Sequence, residues 1–262
     1  MQGGDVAVSA GVTLAQAANG AEVELSFEAI DTCEHCRGNG AEPGTPIVGC
    51  ERCGGAGVLQ AVSRSPFGQV VRQVACDVCG GEGRVPEQPC PRCDGRGREV
   101  RRRTLRVDVP AGIGDGQRIR LAGRGHAGER GGPPGDLYVL VHVEADERFV
   151  RDGDDLVTVL DVPAPVAALG ATLAVPALDG DVEIEVEPGT QPGAVVTVRG
   201  KGMPRLRRPG RHGDLRVVVN VVVPRKLNRS QRRLVQQLAD SMTAENLRTD
   251  ESLIGKLKRL LG

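Results

Sequence analysis

One eight-residue phrase, Cys-x-x-Cys-x-Gly-x-Gly, occurs four times between Cys33 and Gly97 and takes in every cysteine of the chain. The copies occupy positions 33–40, 50–57, 76–83 and 90–97. Two thiolates with two residues between them can bind one metal ion, and two such pairs complete a tetrahedral four-cysteine site. Eight cysteines therefore make two zinc sites. The trailing glycines fit, because a chain folded tightly around an ion needs positive φ and open amides, which glycine supplies at least steric cost. Protein ligands fill both sites, so neither keeps the open position of a catalytic zinc. The zinc is structural, and each ion contributes on the order of 10 kcal/mol to folding its module.

The residues between the pairs indicate which cysteines share an ion. From Val58 to Ala75 two strand-like runs flank Pro66-Phe67-Gly68, a turn signal, and together read as a hairpin. A hairpin brings its ends together, so Cys50, Cys53, Cys76 and Cys79 hold one zinc. Cys33, Cys36, Cys90 and Cys93 are left for the other, a nested pairing rather than a sequential or alternating one. Three other chemistries compete for the thiols. Four disulfides are disfavoured by the lack of a signal peptide and by the poor reach of Cys-x-x-Cys loops. A thioredoxin-like pair does not explain four identical motifs with glycine tails. Iron is possible in four-thiolate sites, but the spacing is not that of a ferredoxin.

The chain has 262 residues, enough for two or three domains and a real core, yet no Trp, one Tyr and three Phe. Its core must be aliphatic. Lys and Arg balance Asp and Glu at 34 each; eight thiolates against two Zn²⁺ lower the formal charge to about −4. No run reaches transmembrane length and no targeting segment stands out, which with free thiolates indicates the cytosol.

A second repeat underlies the first. Ala111 to Gly125 aligns with Pro188 to Gly202 at an offset of 77, and Gly135 to Val143 with Gly213 to Val221 at 78. Earlier, Asp5-Val6, Val12, Gly20, Val23 and Leu25 align with Asp155-Leu156, Val162, Gly170, Leu173 and Val175 at 150. The offsets differ by about the length of the cysteine segment, so one β-domain occurs twice and the zinc module is inserted in its first copy. Alternation over 22–28, 105–109, 137–143, 182–186 and 215–223 predicts short strands, with a helical turn before each shared glycine. The expected fold is mainly β: two tandem small sandwiches, an extended hairpin zinc module and short C-terminal helices. The expected limits are 1–32 with 99–145 for the first β-domain and 33–98 for the zinc module. The second β-domain then covers 146–224, and a helical segment 225–262.

In that last segment Asn228 and Gln231 form a capping pair ahead of Leu234, Val235, Leu238 and Met242 at helical spacing. A further helix is expected from about Ser252, with Leu253, Ile254 and Leu257 on its apolar stripe. These stripes could pack back on the second sandwich or lie on a membrane surface. Self-association suits them better, through Leu234, Leu238, Met242, Leu253 and Leu257.

Four Cys-x-x-Cys-x-Gly-x-Gly motifs inside a duplicated β-domain resemble the zinc-containing class of the DnaJ co-chaperones. The tracts Gly112-Ile-Gly-Asp-Gly-Gln-Arg, Arg151-Asp-Gly-Asp-Asp-Leu156 and Gly200-Lys-Gly-Met-Pro204 carry the same likeness, closest to actinobacterial members. That family begins with a J domain bearing His-Pro-Asp. None of His35, His126, His142 and His212 precedes Pro-Asp, so a C-terminal fragment without stimulation of the DnaK ATPase is expected. The resemblance implies binding of unfolded polypeptide, by addition of an edge strand to the first sandwich and insertion of an apolar side chain into a pocket. By position the pocket falls on Val6, Leu25, Phe27, Leu105 and Val139, which could equally be ordinary core. It further implies a DnaK-type partner, an outer zinc site near the sandwich, an inner one linked to client transfer, and a homodimer with added avidity.

Two other classes compete. Basic runs at 98–106, 205–211 and 225–233 invite nucleic-acid binding, but the net charge is not positive and no aromatics interleave the arginines. A thiol–disulfide oxidoreductase needs an exposed low-pKa cysteine, and zinc-bound thiolates are occupied. With no catalytic constellation elsewhere, a non-enzyme is expected, binding neither nucleic acid nor membrane.

Overall fold

Alternating apolar and polar residues build the first strand, β1 (Val6–Val12), whose Val6, Ala10 and Val12 are buried. Thr13 caps the short helix α1 (Leu14–Asn19) in a capping box with Gln16. After Gly20 the chain returns as β2 (Ala21–Thr32), twelve residues long. The computed structural model describes residues 2–65, 68–206, 208 and 210–247. They fall into two compact units, Met1–Val157 with Arg199–Leu215, and Thr158–Val198 with Arg216–Gly262.

In the first unit β2 pairs antiparallel with β7 (Arg98–Val109) over its whole length, from Ala21↔Val109 to Thr32↔Arg98. The facing sheet holds β1, β9 (Leu137–Val143) and β8 (Arg118–Leu121) in that order, β1 parallel and β8 antiparallel to β9. Between the sheets Val6, Ala10, Phe27, Ala29, Val107, Leu137 and Val139 form one buried cluster, with Leu25 and Leu105 packed half-buried against it. Aliphatic side chains supply nearly all of it, each contributing about 1.5–3 kcal/mol when fully buried. The short β10 (Val150–Asp152) pairs with the start of β11 (Asp155–Pro163).

The second unit repeats the design. Helix α2 (Ala164–Leu169) follows β11, and β12 (Ala171–Ala177) pairs with β13 (Gly180–Val186) as β2 does with β7. Strands β11, β15 (Leu215–Val222) and β14 (Val195–Val198) lie in the order of β1, β9 and β8. Val162, Ala167 and Val219 are buried between the layers with Leu173 and Val196 against them. Two glycines shared by the repeats do the same work in each copy, Gly20 and Gly170, with φ of +79 and +75. A Cβ there would lie 3.2 Å from the Val109 carbonyl oxygen in one case and 2.9 Å from that of Val186 in the other, so the helix can turn back onto the sheet only through glycine.

The copies differ at one connection. Leu178 and Asp179 alone join β12 to β13, whereas residues 33–97 lie between β2 and β7. That insertion is itself a series of nested antiparallel pairs: β3 (Ile47–Gly49) with β6 (Arg84–Pro86), then β4 (Val58–Ser65) with β5 (Gly68–Ala75). The tip residues Pro66 and Phe67 lie outside the described residues, as does the helix expected from Ser252. Among the described residues no helix is long and apolar enough to cross a membrane.

Because Thr32 and Arg98 are still in register where the insertion leaves the ribbon, a two-residue Asn-Gly turn should replace residues 33–97 without disturbing the first unit. The shortened chain is expected to keep its β circular dichroism and cooperative melting while losing all metal binding. Loss of cooperative unfolding would show that the insertion is needed for the sandwich.

Candidate metal centres and a cleft at a free strand edge

The nested pairing of strands brings the cysteine phrases together two by two. Cys33, Cys36, Cys90 and Cys93 form one group and Cys50, Cys53, Cys76 and Cys79 the other, each with its sulfurs within 4.8 Å of one another. Across the knuckles the sulfurs of Cys33 and Cys90 are 4.0 Å apart, Cys36 and Cys93 3.7 Å, Cys50 and Cys76 3.9 Å, and Cys53 and Cys79 3.8 Å. A disulfide holds its sulfurs at about 2.05 Å. Four thiolates bound at about 2.3 Å to a tetrahedral ion stand about 3.8 Å apart. The spacing is that of a metal site, and the residues fit the ion their motif implies.

Each site is two knuckles related by an approximate two-fold. The amide of the first cysteine in one knuckle donates to the carbonyl of the last glycine in the other: Cys33 to Gly97, Cys90 to Gly40, Cys50 to Gly83 and Cys76 to Gly57, at 2.8–3.0 Å. Those last glycines have φ between +71 and +75. A Cβ on Gly40, Gly57, Gly83 or Gly97 would come within 2.3–2.5 Å of the carbonyl oxygen of Gly95, Gly81, Gly55 or Gly38. The glycine pattern is thus a backbone-on-backbone interlock that any side chain would wedge apart. Three of the same glycines, Gly57, Gly83 and Gly97, donate their amides to the sulfurs of Cys53, Cys79 and Cys93 at 3.2 Å and so favour the thiolates.

Electrostatics within each group are uneven without the ion. Burial pushes Cys50 up to about 11 and Cys93 up to about 12. Burial acts the same way on Cys79, but the amides of Gly83 and Gly81 with the neighbouring thiols outweigh it and hold its pKa down to about 7. Backbone hydrogen bonding, from Cys36 foremost, lowers Cys33 against its burial. Four crowded sulfurs do not all ionise unaided; a dication is what makes the tetrad thiolate throughout.

Ion pairs seat the outer site on the ribbon. Arg101 of β7 holds Glu34, inside the Cys33 knuckle, and also Glu99. Glu99 in turn accepts from Arg92, inside the Cys90 knuckle, at 2.8 Å. The Arg101 hydrogen bond and charge keep the Glu34 carboxyl below the usual carboxylate range. The inner site carries one exposed pair across its knuckles, Arg52 with Asp77 at 2.6 Å.

The five residues assigned to a client pocket lie in one cluster but differ in access. Val139 is fully buried, Val6 and Phe27 nearly so, and Leu25 and Leu105 are half-buried. Phe27 and Leu105 line a cleft of about 250 Å³ together with Arg103, Thr104, Gly123 and Arg124. An Asp31 ion pair anchors Arg103 there, and its guanidinium reaches toward the Gly125 carbonyl. Sequence reasoning missed Arg103, Thr104 and Arg124; the one signal available was Gly123, a repeat position just after β8.

The ribbon has two open edges. Ile30 turns both backbone groups away from β7: its amide donates to His126 Nδ1 at 2.9 Å and its carbonyl accepts from Ala127 at 2.7 Å. Antiparallel pairing alternates, so the outward backbone groups of β2 are those of Glu22, Glu24, Ser26 and Glu28, and those of β7 belong to Arg102, Thr104, Arg106 and Asp108. Among the described residues none of these outward groups has a backbone partner. Thr104 lies at the cleft, so the open β7 edge and the apolar pocket adjoin.

In the second unit helix α3 (Arg229–Ser241) starts with the Asn228–Gln231 capping box. No residue of α3 is buried, and Leu234, Leu238 and Met242 are about half or more exposed. Leu234, Val235 and Leu238 with Pro165, Pro224 and Leu227 line an apolar groove of about 340 Å³. Leu253 and Leu257 lie outside the described residues.

Paired β-layers used twice, with an arm of two four-cysteine metal centres in the first copy, define a class of chain in which metal holds an insertion and strand edges stay open. The DnaJ C terminal domain profile matches residues 6–224. Chaperone protein DnaJ of Acetivibrio thermocellus is 41% identical over 261 residues, covering 100% of this chain and 67% of that protein. Chaperone protein DnaJ 1 of Mycolicibacterium paratuberculosis is 45% identical over 236 residues, 90% of this chain and 62% of its own length. For the Haloferax mediterranei Chaperone protein DnaJ the figures are 42% over 260 residues, 99% and 67%. The chain belongs to the DnaJ family, and spans about two thirds of the length of these relatives.

Gly83→Ala should break one centre and spare the other. Left-handed φ costs an alanine about 1–2 kcal/mol, and its Cβ would press on the Gly55 carbonyl at 2.3 Å. Bound metal, measured by elemental analysis after gel filtration, is expected to fall from two ions per chain to about one. Retention of both ions would refute the interlock.

Proposed function

We propose that this chain is a non-enzymatic co-chaperone segment that binds unfolded polypeptide at the first unit and is stabilised by two structural zinc ions. Zinc is favoured over other metals because both sites offer four thiolates at tetrahedral spacing and no open position. The ligands are Cys33, Cys36, Cys90 and Cys93 for one ion, and Cys50, Cys53, Cys76 and Cys79 for the other. We take the sandwich limits 1–32 with 99–145 and 146–224, the arm 33–98 and the tail 225–262 as working domains.

One observation carries the client reading: the outward backbone groups of β7 stand unpartnered beside a cleft lined by Phe27 and Leu105. An extended segment can add to such an edge through main-chain hydrogen bonds, which need no particular sequence, while one apolar side chain enters the pocket. Phe27 and Leu105 meet that side chain; Val6, Leu25 and Val139 form the wall behind. Names of the relatives support a chaperone role, and with it a DnaK-type partner and a cytoplasmic setting. The exposed Leu234 and Leu238 on α3 and Met242 at its C-cap, together with Leu253 and Leu257 of the tail, serve to pair two copies and so to hold one long client at two places.

Thr104→Pro tests the reading at little cost to the fold. The Thr104 amide points outward and bonds nothing in the ribbon, and proline is tolerated where an edge amide faces solvent. The variant is expected to melt within a few degrees of the parent, keep two zinc ions and lose most of its ability to suppress aggregation of a denatured protein without ATP. Undiminished suppression by a folded variant would remove strand addition at β7.

A further inference from the structure

The outer face of the β2–β7 ribbon is divided by charge along its length. On β2 the exposed residues are Glu22, Glu24, Ser26 and Glu28; opposite them on β7 stand Asp108, Arg106, Thr104 and Arg102. One edge of the ribbon is therefore acidic and the other mainly basic. Among the described residues the Arg102 and Arg124 guanidinium groups have no ion-pair partner, although Arg102 faces Glu28 in register. Arg106 has only the carboxylates of Glu22 and Glu24, at 3.8 and 3.9 Å and on the side away from the edge. Of the other acids nearby, Asp31 is committed to Arg103 and Asp136 to Arg120 and the Gly123 amide, while Asp108 stands at the far end of the β7 edge, past Arg106. The cleft adjoins only the basic edge, since three consecutive β7 residues line it and Arg124 stands at its rim.

We infer that the β7 edge selects extended segments in which an apolar anchor is flanked by carboxylate side chains. The inference rests on the client-binding reading and deepens it. In a strand added to β7 the residue over the cleft points inward, toward Phe27 and Leu105. Its two neighbours point to the outer face, where directly opposed cross-strand side chains lie about 4.5–5.5 Å apart at the Cβ atoms. Those neighbours fall beside Arg102, Thr104 and Arg106. A glutamate or aspartate there gains an arginine that lacks a close partner, whereas a lysine meets like charge. The loop at His126–Ala127 occupies the opposite edge at Ile30, so a strand on β2 would have to end before it.

Three labelled nonapeptides test this by fluorescence anisotropy: alike in every apolar residue, with a central leucine flanked on both sides by Glu, Gln or Lys. The Glu peptide should bind about three- to tenfold more tightly than the Gln peptide, the yield of two favourable cross-strand charge pairs, and the Lys peptide more weakly than either. The Glu advantage should shrink in about 0.5 M salt and vanish in Arg102→Gln/Arg106→Gln, with the Gln peptide unaffected. Equal affinities for all three, abolished by Thr104→Pro, would overturn charge selection and leave strand addition standing. Preference for the Lys peptide would overturn the inference by placing the client on the acidic β2 edge. No binding by any peptide would bring down the client reading and this inference together.

Discussion

An isolated two-stranded hairpin is marginal in water, and the arm of this protein is a stack of such hairpins with no other strand or helix packed closely against them among the described residues. Thiolate–metal bonds replace the missing core. Each tetrad fastens two knuckles whose glycines are already interlocked backbone to backbone, and each structural ion supplies on the order of 10 kcal/mol. That is many times what the few half-buried aliphatics beside the inner site, Leu59 and Val85, can contribute. Removing the ions leaves four crowded, largely buried sulfurs per site with opposed protonation tendencies, so the arm and the metal stand or fall together. The ribbon needs no ion, because the shared core of the facing sheets holds it.

The open ribbon edges are a liability that the fold restricts rather than removes. Unpaired strand edges invite association. At Ile30 the loop carrying His126 and Ala127 satisfies the outward groups and ends the free run of β2. On β7 the arginines keep the edge charged, which disfavours edge-to-edge pairing with a second copy, since like charges would oppose one another. An edge guarded against its own kind while open to a segment of opposite charge suits transient capture of foreign chains.

Much of this was legible in the sequence because its signals are local. The cysteine phrases state ligand number and spacing, the Val58–Ala75 pattern states a hairpin, and offsets of 77, 78 and 150 reproduce the matching of β8 with β14, β9 with β15 and β1 with β11. Asn228 and Gln231 announce a helix start for the same reason. What escaped is set by contacts distant in sequence. Nothing near His126 indicates that its ring will cap Ile30, 96 residues away. Arg103 reads as a member of the basic run 98–106 and Arg124 as part of the repeated tract 111–125, and only the fold sets both at one cleft. Apolar alternation placed Val139 and Leu105 alike on inner faces; the packing of β9 at the centre of its sheet, against β7 at an edge, gives them different exposure.

The duplication shows what sets the cleft of the first copy apart. Phe27 pairs with Arg103 in the β2–β7 register, and by the repeat offsets the matching pair in the second copy is Ala177 with Gly180. There the second copy makes its two-residue turn. Residues 28–32 and 98–102, past that pair in the first copy, have no paired counterpart in the second and carry the ribbon out to the arm. The cleft therefore sits where the second copy makes its hairpin turn, walled by a phenylalanine in place of alanine and an arginine in place of glycine. The metal-held insertion and the cleft are linked at one end only: the longer ribbon carries Arg102 past the point where the second copy turns, whereas Thr104, matched by Asp181 in β13, lies in the part of the edge that both copies share.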